Sequence, residues 1–238
     1  MAFGFNYTLS KSKDDGSNQR DVIPDTYNAH NLWGPSEFDT RQMAQIYYLY
    51  DLPFFRGQAN FAGKALGGWQ ISGVTQFQTG LPCGVAGTTD YAGVGQDANF
   101  GCGTNGQYWI VNGDPKIIGT FGTSGQWFAT KNPDGSPIFT PPTPGTFNLA
   151  QNIRDLIYQP GFQNWNLGLF KKFAITERTG LQFRAEAFNF INHPNWVNNN
   201  SAGVNFNPTS STFGKVTTKG GPTGGGERNL QLSLRFYF

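Results

Sequence analysis

The chain has 238 residues, with seventeen Lys and Arg against fifteen Asp and Glu and a charged fraction of 13%, about half the usual quarter of a soluble domain. Aromatic residues reach 16%, and 32 Gly with 14 Pro carry no repeat, a combination that argues against disorder and suits a large all-β domain or part of one. The longest apolar run, Ile46 to Tyr50, is far short of the roughly 18 residues of a membrane helix, the near-neutral balance gives no footprint for nucleic acid, and two His (His30, His193) with two Cys (Cys83, Cys102) make no zinc site.

Met1 to Tyr7 lacks the basic, apolar and small-residue regions of a secretory signal. Helical spacing is nearly absent along the chain, whereas period-two alternation recurs. From Ala2 to Leu9 the apolar Phe3, Phe5, Tyr7 and Leu9 alternate with Gly4, Asn6 and Thr8. From Arg41 to Leu52 one face reads Ala44, Ile46, Tyr48, Tyr50, Leu52. From Trp69 to Thr79 one face carries Trp69, Ile71 and Phe77, and the other Gln70, Ser72, Gln76 and Gln78.

The last third alternates more strictly. Trp165, Leu167, Leu169 and Phe173 oppose Asn164, Asn166 and Gly168; Leu181, Phe183, Ala185 and Ala187 oppose Gln182, Arg184 and Glu186. Leu230, Leu232, Leu234, Phe236 and Phe238 oppose Asn229, Gln231, Ser233 and Arg235. Strands are thus predicted near residues 2–10, 41–52, 69–79, 164–174, 181–191 and 228–238. Each is about nine to twelve residues, long for a soluble protein and the length a tilted strand needs to cross a bilayer.

Two architectures share such a pattern. In a soluble sandwich the apolar face looks into a dry core; in a membrane barrel it looks at lipid while the polar face lines a wet lumen. Strand length favours the barrel, as do aromatics near the strand ends (Trp69, Trp165, Phe173, Tyr48, Tyr50), where interfacial girdles sit. The connections also alternate. Residues 11–40, 81–163 and 192–227 are long, as outer loops are, and Ile175 to Gly180 is short, as a periplasmic turn is. Placing the C-terminus in the periplasm puts all three long segments outside. The weakly patterned Thr212 to Thr218 is then a loop hairpin and not a seventh crossing. Pro53 to Gly68, sixteen residues, is the exception where a tight turn is expected.

Several stretches resemble a known family. Leu230 to Phe238 resembles the terminal strand of bacterial outer-membrane proteins, in which alternating apolar residues (Leu230, Leu232, Leu234, Phe236) and a final aromatic (Phe238) are read by the barrel-assembly machinery. Leu181 to Pro194, with Asn189-Phe190-Ile191, looks like the penultimate strand of TonB-dependent receptors of the Oar-like branch, which carry an N-terminal carboxypeptidase-regulatory-like domain. Ser10 to Gly16, Tyr50 to Gly57, Gly67 to Gly73 and Pro160 to Leu167 are similar to that branch and keep its order.

The resemblance implies an all-β, antiparallel transmembrane barrel segment of about six long strands, from a barrel of roughly 22, in the outer membrane of a Gram-negative-type bacterium. It implies no catalysis and no cofactor, but energised ligand uptake. The implied partners are outer-membrane lipid, the assembly machinery, the rest of the receptor with its plug, and through it the TonB energy-coupling complex. The family's plug, coupling box and export signal have no counterpart in the chain, and six strands cannot close a barrel. The chain is therefore expected to be the C-terminal part of a receptor. A passive or structural outer-membrane barrel or surface protein is the second reading. A soluble carbohydrate-binding sandwich is the third, with Tyr108-Trp109 and Trp127-Phe128 as sugar-stacking loop aromatics.

Cys83 and Cys102 share the longest outer loop; a bridge would close about 20 residues and stabilise by roughly 3 kcal/mol, the alternative being two free thiols. Asp14-Asp15-Gly16-Ser17-Asn18 with Asp21 lacks calcium-loop spacing and reads as a solvated turn. Arg184 and Glu186 on a polar face read as structural pairs, and Lys171 as a side chain snorkelling at the periplasmic interface. Gly220 to Gly226 is a flexible outer loop rather than a phosphate loop. His30 and His193 have no catalytic pattern around them.

Overall fold

Strands that alternate apolar and polar side chains need one surface of each kind, and the chain supplies both by pairing its six long strands into one sheet. The computed structural model describes residues 1–17, 27–55, 60–87, 89–93, 107–120, 124–146, 154–176, 178–196, 203–217, 219 and 226–238. The long strands are β1 (Ala2–Leu9), β2 (Gln42–Asp51), β3 (Trp69–Gln78), β4 (Phe162–Ala174), β5 (Gly180–Phe188) and β6 (Asn229–Tyr237). They pair in chain order, each antiparallel to the next, as an up-and-down meander.

The register carries one apolar surface across all six. Phe5 stands opposite Ile46, Tyr50 opposite Ile71, Ile71 opposite Leu169, Leu169 opposite Ala185, and Ala185 opposite Leu232. Directly opposed residues share a face. The other face carries Asn6, Gln45, Gln76, Asn164, Asn166, Gln182, Arg184, Glu186 and Gln231. Leu230, Leu232 and Leu234 are 70%, 72% and 65% exposed, and the described residues contain no second sheet packed on that apolar face. A sandwich would cover it, so the soluble sandwich is not this fold. From Trp69 to Phe77 the apolar face runs over eight residue steps, about 26 Å along the strand. That is of the order of the roughly 25 Å apolar band of a membrane barrel. The sheet is open: β1 and β6 are its edges, and no described strand pairs with the far side of either.

Aromatic rings fill the gaps left by glycines in the sheet. Gly4 faces Tyr47, Gly73 faces Tyr48 and Gly180 faces Tyr237 across the ladders. In each pair the ring lies where a Cβ on the glycine would be, so ring and glycine form one packing unit.

The three long connections leave from one end of the sheet and the two shorter ones from the other. The segment between β2 and β3, too long for a tight turn, contains a helix, α1 (Phe61–Leu66), capped by the Asn60 side chain accepting from Gly63 N–H at 2.7 Å. This segment corrects the reading of Lys171. Its side chain does not snorkel to solvent but is 1% exposed. Nζ donates to the Ala65 and Gly67 carbonyls at 2.7 and 2.6 Å, and lies 5.0 Å from the Trp69 ring centre and 4.8 Å from that of Phe173. A cation so enclosed is satisfied by carbonyls that the end of a short helix leaves unpaired. At the other end, Lys215–Val216 pairs with Gly125–Gln126 of the β3–β4 connection and not with the six-stranded sheet, so the stretch around residue 215 is part of the β5–β6 connection and adds no seventh long strand.

Candidate functional site: the outer head and the polar wall

The three long connections contain apolar residues without periodicity, and these collapse together. Cys83, Val85, Trp127, Phe128, Ile138, Phe139 and Ile157 from the β3–β4 connection share one buried cluster with Val204, Phe206 and Val216 from the β5–β6 connection. Phe128 stacks on Phe206 at 5.4 Å and meets Phe139 and Phe213 edge-on at 6.0 and 5.4 Å. A second cluster joins Leu32 of the β1–β2 connection to Ala86 and Tyr108. The three long connections thus form one packed head at one end of the sheet. Tyr108, Trp127 and Phe128 are buried in it at 4%, 6% and 0% exposure, which removes them as sugar-stacking platforms.

Polar contacts lock the first connection to the second. Asp39, 1% exposed, accepts from the Ser12 backbone N–H at 2.8 Å and the Tyr158 hydroxyl at 2.5 Å, with Arg41 Nε at 3.3 Å. Burial, then the bond to Asp39, push the Tyr158 hydroxyl up to about 12 despite the opposing pull of Arg41. Nearby, Arg154 is 3% exposed and bonds the Asp14 carboxylate, the Ser17 hydroxyl and, at 3.3 Å, Asp155. Burial disfavours the Asp14 anion, but hydrogen bonds from Ser36, Arg154 and Ser17, with the Arg154 charge, outweigh it and hold the carboxyl below its usual range. The Asp14 to Ser17 turn is therefore an interloop anchor rather than a solvated turn. Asp21 lies outside the described residues, and no metal-binding cluster occurs among the described ones.

The end of β5 is the second anchor. Strand pairing stops at Phe188, three residues earlier than the alternation suggests, because Asn189 adopts a left-handed φ of 50°. Its amide donates to the His193 and Gly226 carbonyls, both at 2.9 Å, and its Oδ1 accepts from His193 N–H at 3.0 Å. Asn192, φ 55°, accepts from Arg228 N–H at 3.1 Å. The Asn189-Phe190-Ile191 stretch therefore forms the corner that starts the last outer connection and ties it to the head of β6. His193 serves through its backbone here. His30 stacks near Trp33 at 5.1 Å and faces Asp15 at 3.5 Å.

Below the head the polar face forms the wall. Arg184 donates to Gln182 at 3.2 Å and lies over Phe170 at 5.6 Å. Glu186 borders a groove of about 220 Å³ with Ser72, Asn166, Gly168 and Phe170. The two side chains are not paired with each other. Cys83 is fully buried and receives the Gln159 amide at 2.8 Å; its expected bridge partner Cys102 lies outside the described residues, as does Gly220 to Gly225. Leu230, Leu232, Leu234 and Phe236 line the lipid-side face of β6, with Phe238 following it and stacked on Phe236 at 6.1 Å.

A family model described as an outer membrane beta barrel domain matches residues 1–231. No match was found among curated proteins or among solved structures.

Proposed function

The chain belongs to the outer membrane beta barrel family, and on that footing we propose that it is wall and extracellular head of a TonB-dependent, Oar-like receptor of roughly 22 strands. Its place is the outer membrane of a Gram-negative bacterium. The reading rests most on one observation: three outer connections share buried clusters and form a single fixed surface above a polar wall. A rigid outer surface over a polar lumen is what capture and passage of a ligand need, and loops held by a scaffold are where binding residues concentrate. The edges of β1 and β6 fit this reading, since an open edge in hydrocarbon leaves backbone groups unsatisfied and calls for further strands.

In this scheme the head binds ligand together with a plug, and the coupling complex opens the plug from the periplasm. The lipid-side residues of β6 (Leu230, Leu232, Leu234, Phe236) and the terminal Phe238 are what the assembly machinery reads. The scheme assigns the chain no catalysis and calls for no cofactor.

Fractionation of native cells, blotted with an antibody to the last strand, tests the reading. An outer-membrane band far above 26.2 kDa is expected. A band near that mass would overturn it in favour of a passive or structural barrel, assembled from several chains so that the edges of β1 and β6 are paired.

A further inference from the structure

We infer that the base of the head holds a binding site for the anionic head group of an outer-leaflet lipid, centred on Arg41. A cavity of about 570 Å³ lies where the outer ends of β1 to β4 meet the head. Its floor is Tyr7, Ala44 and Phe77, all on the apolar, lipid-side face. Tyr158 and Gln159 of the head line it as well, together with Arg41 and Thr79. The cavity therefore runs from the hydrocarbon side of the sheet up to the level of the outer loops, which is the depth of lipid head groups.

The chemistry of the rim is that of an anion site on an acyl groove. Arg41 uses Nε toward Tyr158 at 3.1 Å and Asp39 at 3.3 Å, and its guanidinium carbon lies 5.7 Å from the Tyr158 ring centre. Those contacts hold the guanidinium in place. Its two terminal nitrogens have no partner among the described residues, while its side chain is 38% exposed. A planar guanidinium fixed by Nε beside an aromatic ring presents its remaining N–H groups as a fork suited to a phosphate. An apolar floor beside that fork favours a phosphate carrying acyl chains over a free one, because the same site then removes hydrocarbon from water.

Native mass spectrometry of the full-length protein in dodecyl maltoside tests this, with dihexanoyl phosphatidic acid, dihexanoyl phosphatidylcholine and inorganic phosphate as probes. Phosphatidic acid is expected to be retained roughly tenfold better than phosphatidylcholine, the factor one charge-assisted bond supplies. Arg41→Gln should erase that preference and Arg41→Lys should keep part of it, each variant first shown to keep its unheated gel mobility. Phe77→Ala should weaken both lipids equally. Equal retention of the two lipids, or a preference that survives Arg41→Gln, would overturn the site. Displacement of phosphatidic acid by inorganic phosphate at equal concentration would overturn the lipid assignment and leave a free-anion site.

Discussion

The Tyr158 hydroxyl donates to the Asp39 carboxylate across 2.5 Å, joining the end of the second outer connection to the end of the first. Both groups sit at the seam between head and sheet, beside the strand tops that Arg41 and Thr79 continue. Shielding from water is what makes this bond matter: Asp39 has almost no contact with solvent, so its anion depends on the donors around it.

A pH signature follows. Because Tyr158 is raised from 10.0 to about 12, folding favours its protonated form. The contribution is complete below pH 10 and is lost as the pH rises from about 10 to about 12. Ultraviolet difference titration of the protein against Tyr158→Phe should show one tyrosine ionising near the upper value. Asp39→Asn should bring that ionisation back toward 10. A Tyr158 transition near 10 in the unaltered protein would contradict the seam.

The opposite sign holds at Asp14. Its carboxyl lies below the usual 3.8, so its contribution is present above that value and fades as acid lowers the pH through the folded-state value. Near-ultraviolet dichroism should show the head loosening below about pH 4, with the sheet signal retained. Arg154→Met removes the buried cation that faces the Asp14 and Asp155 carboxylates and is expected to cost on the order of 3–5 kcal/mol, read as protease cleavage of the head on intact cells at neutral pH.

Asn189 combines a left-handed backbone with three side-chain bonds. Asn189→Ala should cost about 2–4 kcal/mol from strain and unsatisfied groups together. Asn189→Gly should cost less, since glycine takes the same φ without strain. Urea midpoints of the reconstituted protein give the ranking, and equal midpoints for the two variants would refute the backbone part.

Lys171→Met removes the Gly67 carbonyl's side-chain donor and leaves the Ala65 carbonyl with only the longer bond from the Trp69 indole N–H at 3.3 Å. The expected loss is about 1–3 kcal/mol, and it should be local. Amide exchange should quicken across Phe61 to Gly67, while the β4 amides paired to β3 and β5 stay protected.

What the sequence made legible follows from where side chains go. Lipid contact on one face forces strict alternation, so the strands around Leu169, Ala185 and Leu232 could be read from spacing alone. Strand ends were less exact, as at Phe188, because a turn such as that at Asn189 is written in side-chain bonds and not in periodicity. The head was hidden for a related reason. Phe128 and Phe206 touch at a sequence separation of 78 in irregular chain, and no local pattern marks either as buried. The same holds for Arg154, whose partner Asp14 lies 140 residues away. Lys171 was misplaced because α1 carries no strong helical pattern, so nothing indicated what would cover the side chain.

The shared core of the outer head has a consequence for how such a surface can change. Phe128 and Phe139 come from one loop and Phe206 and Phe213 from another, while Leu32 ties in the third. Grafting one loop from a relative would bring half of each interlock and leave the other half without its mate. Diversity at this exterior should therefore be inherited in matched sets, with the three connections exchanged together as one cassette and the strands beneath them left as they are.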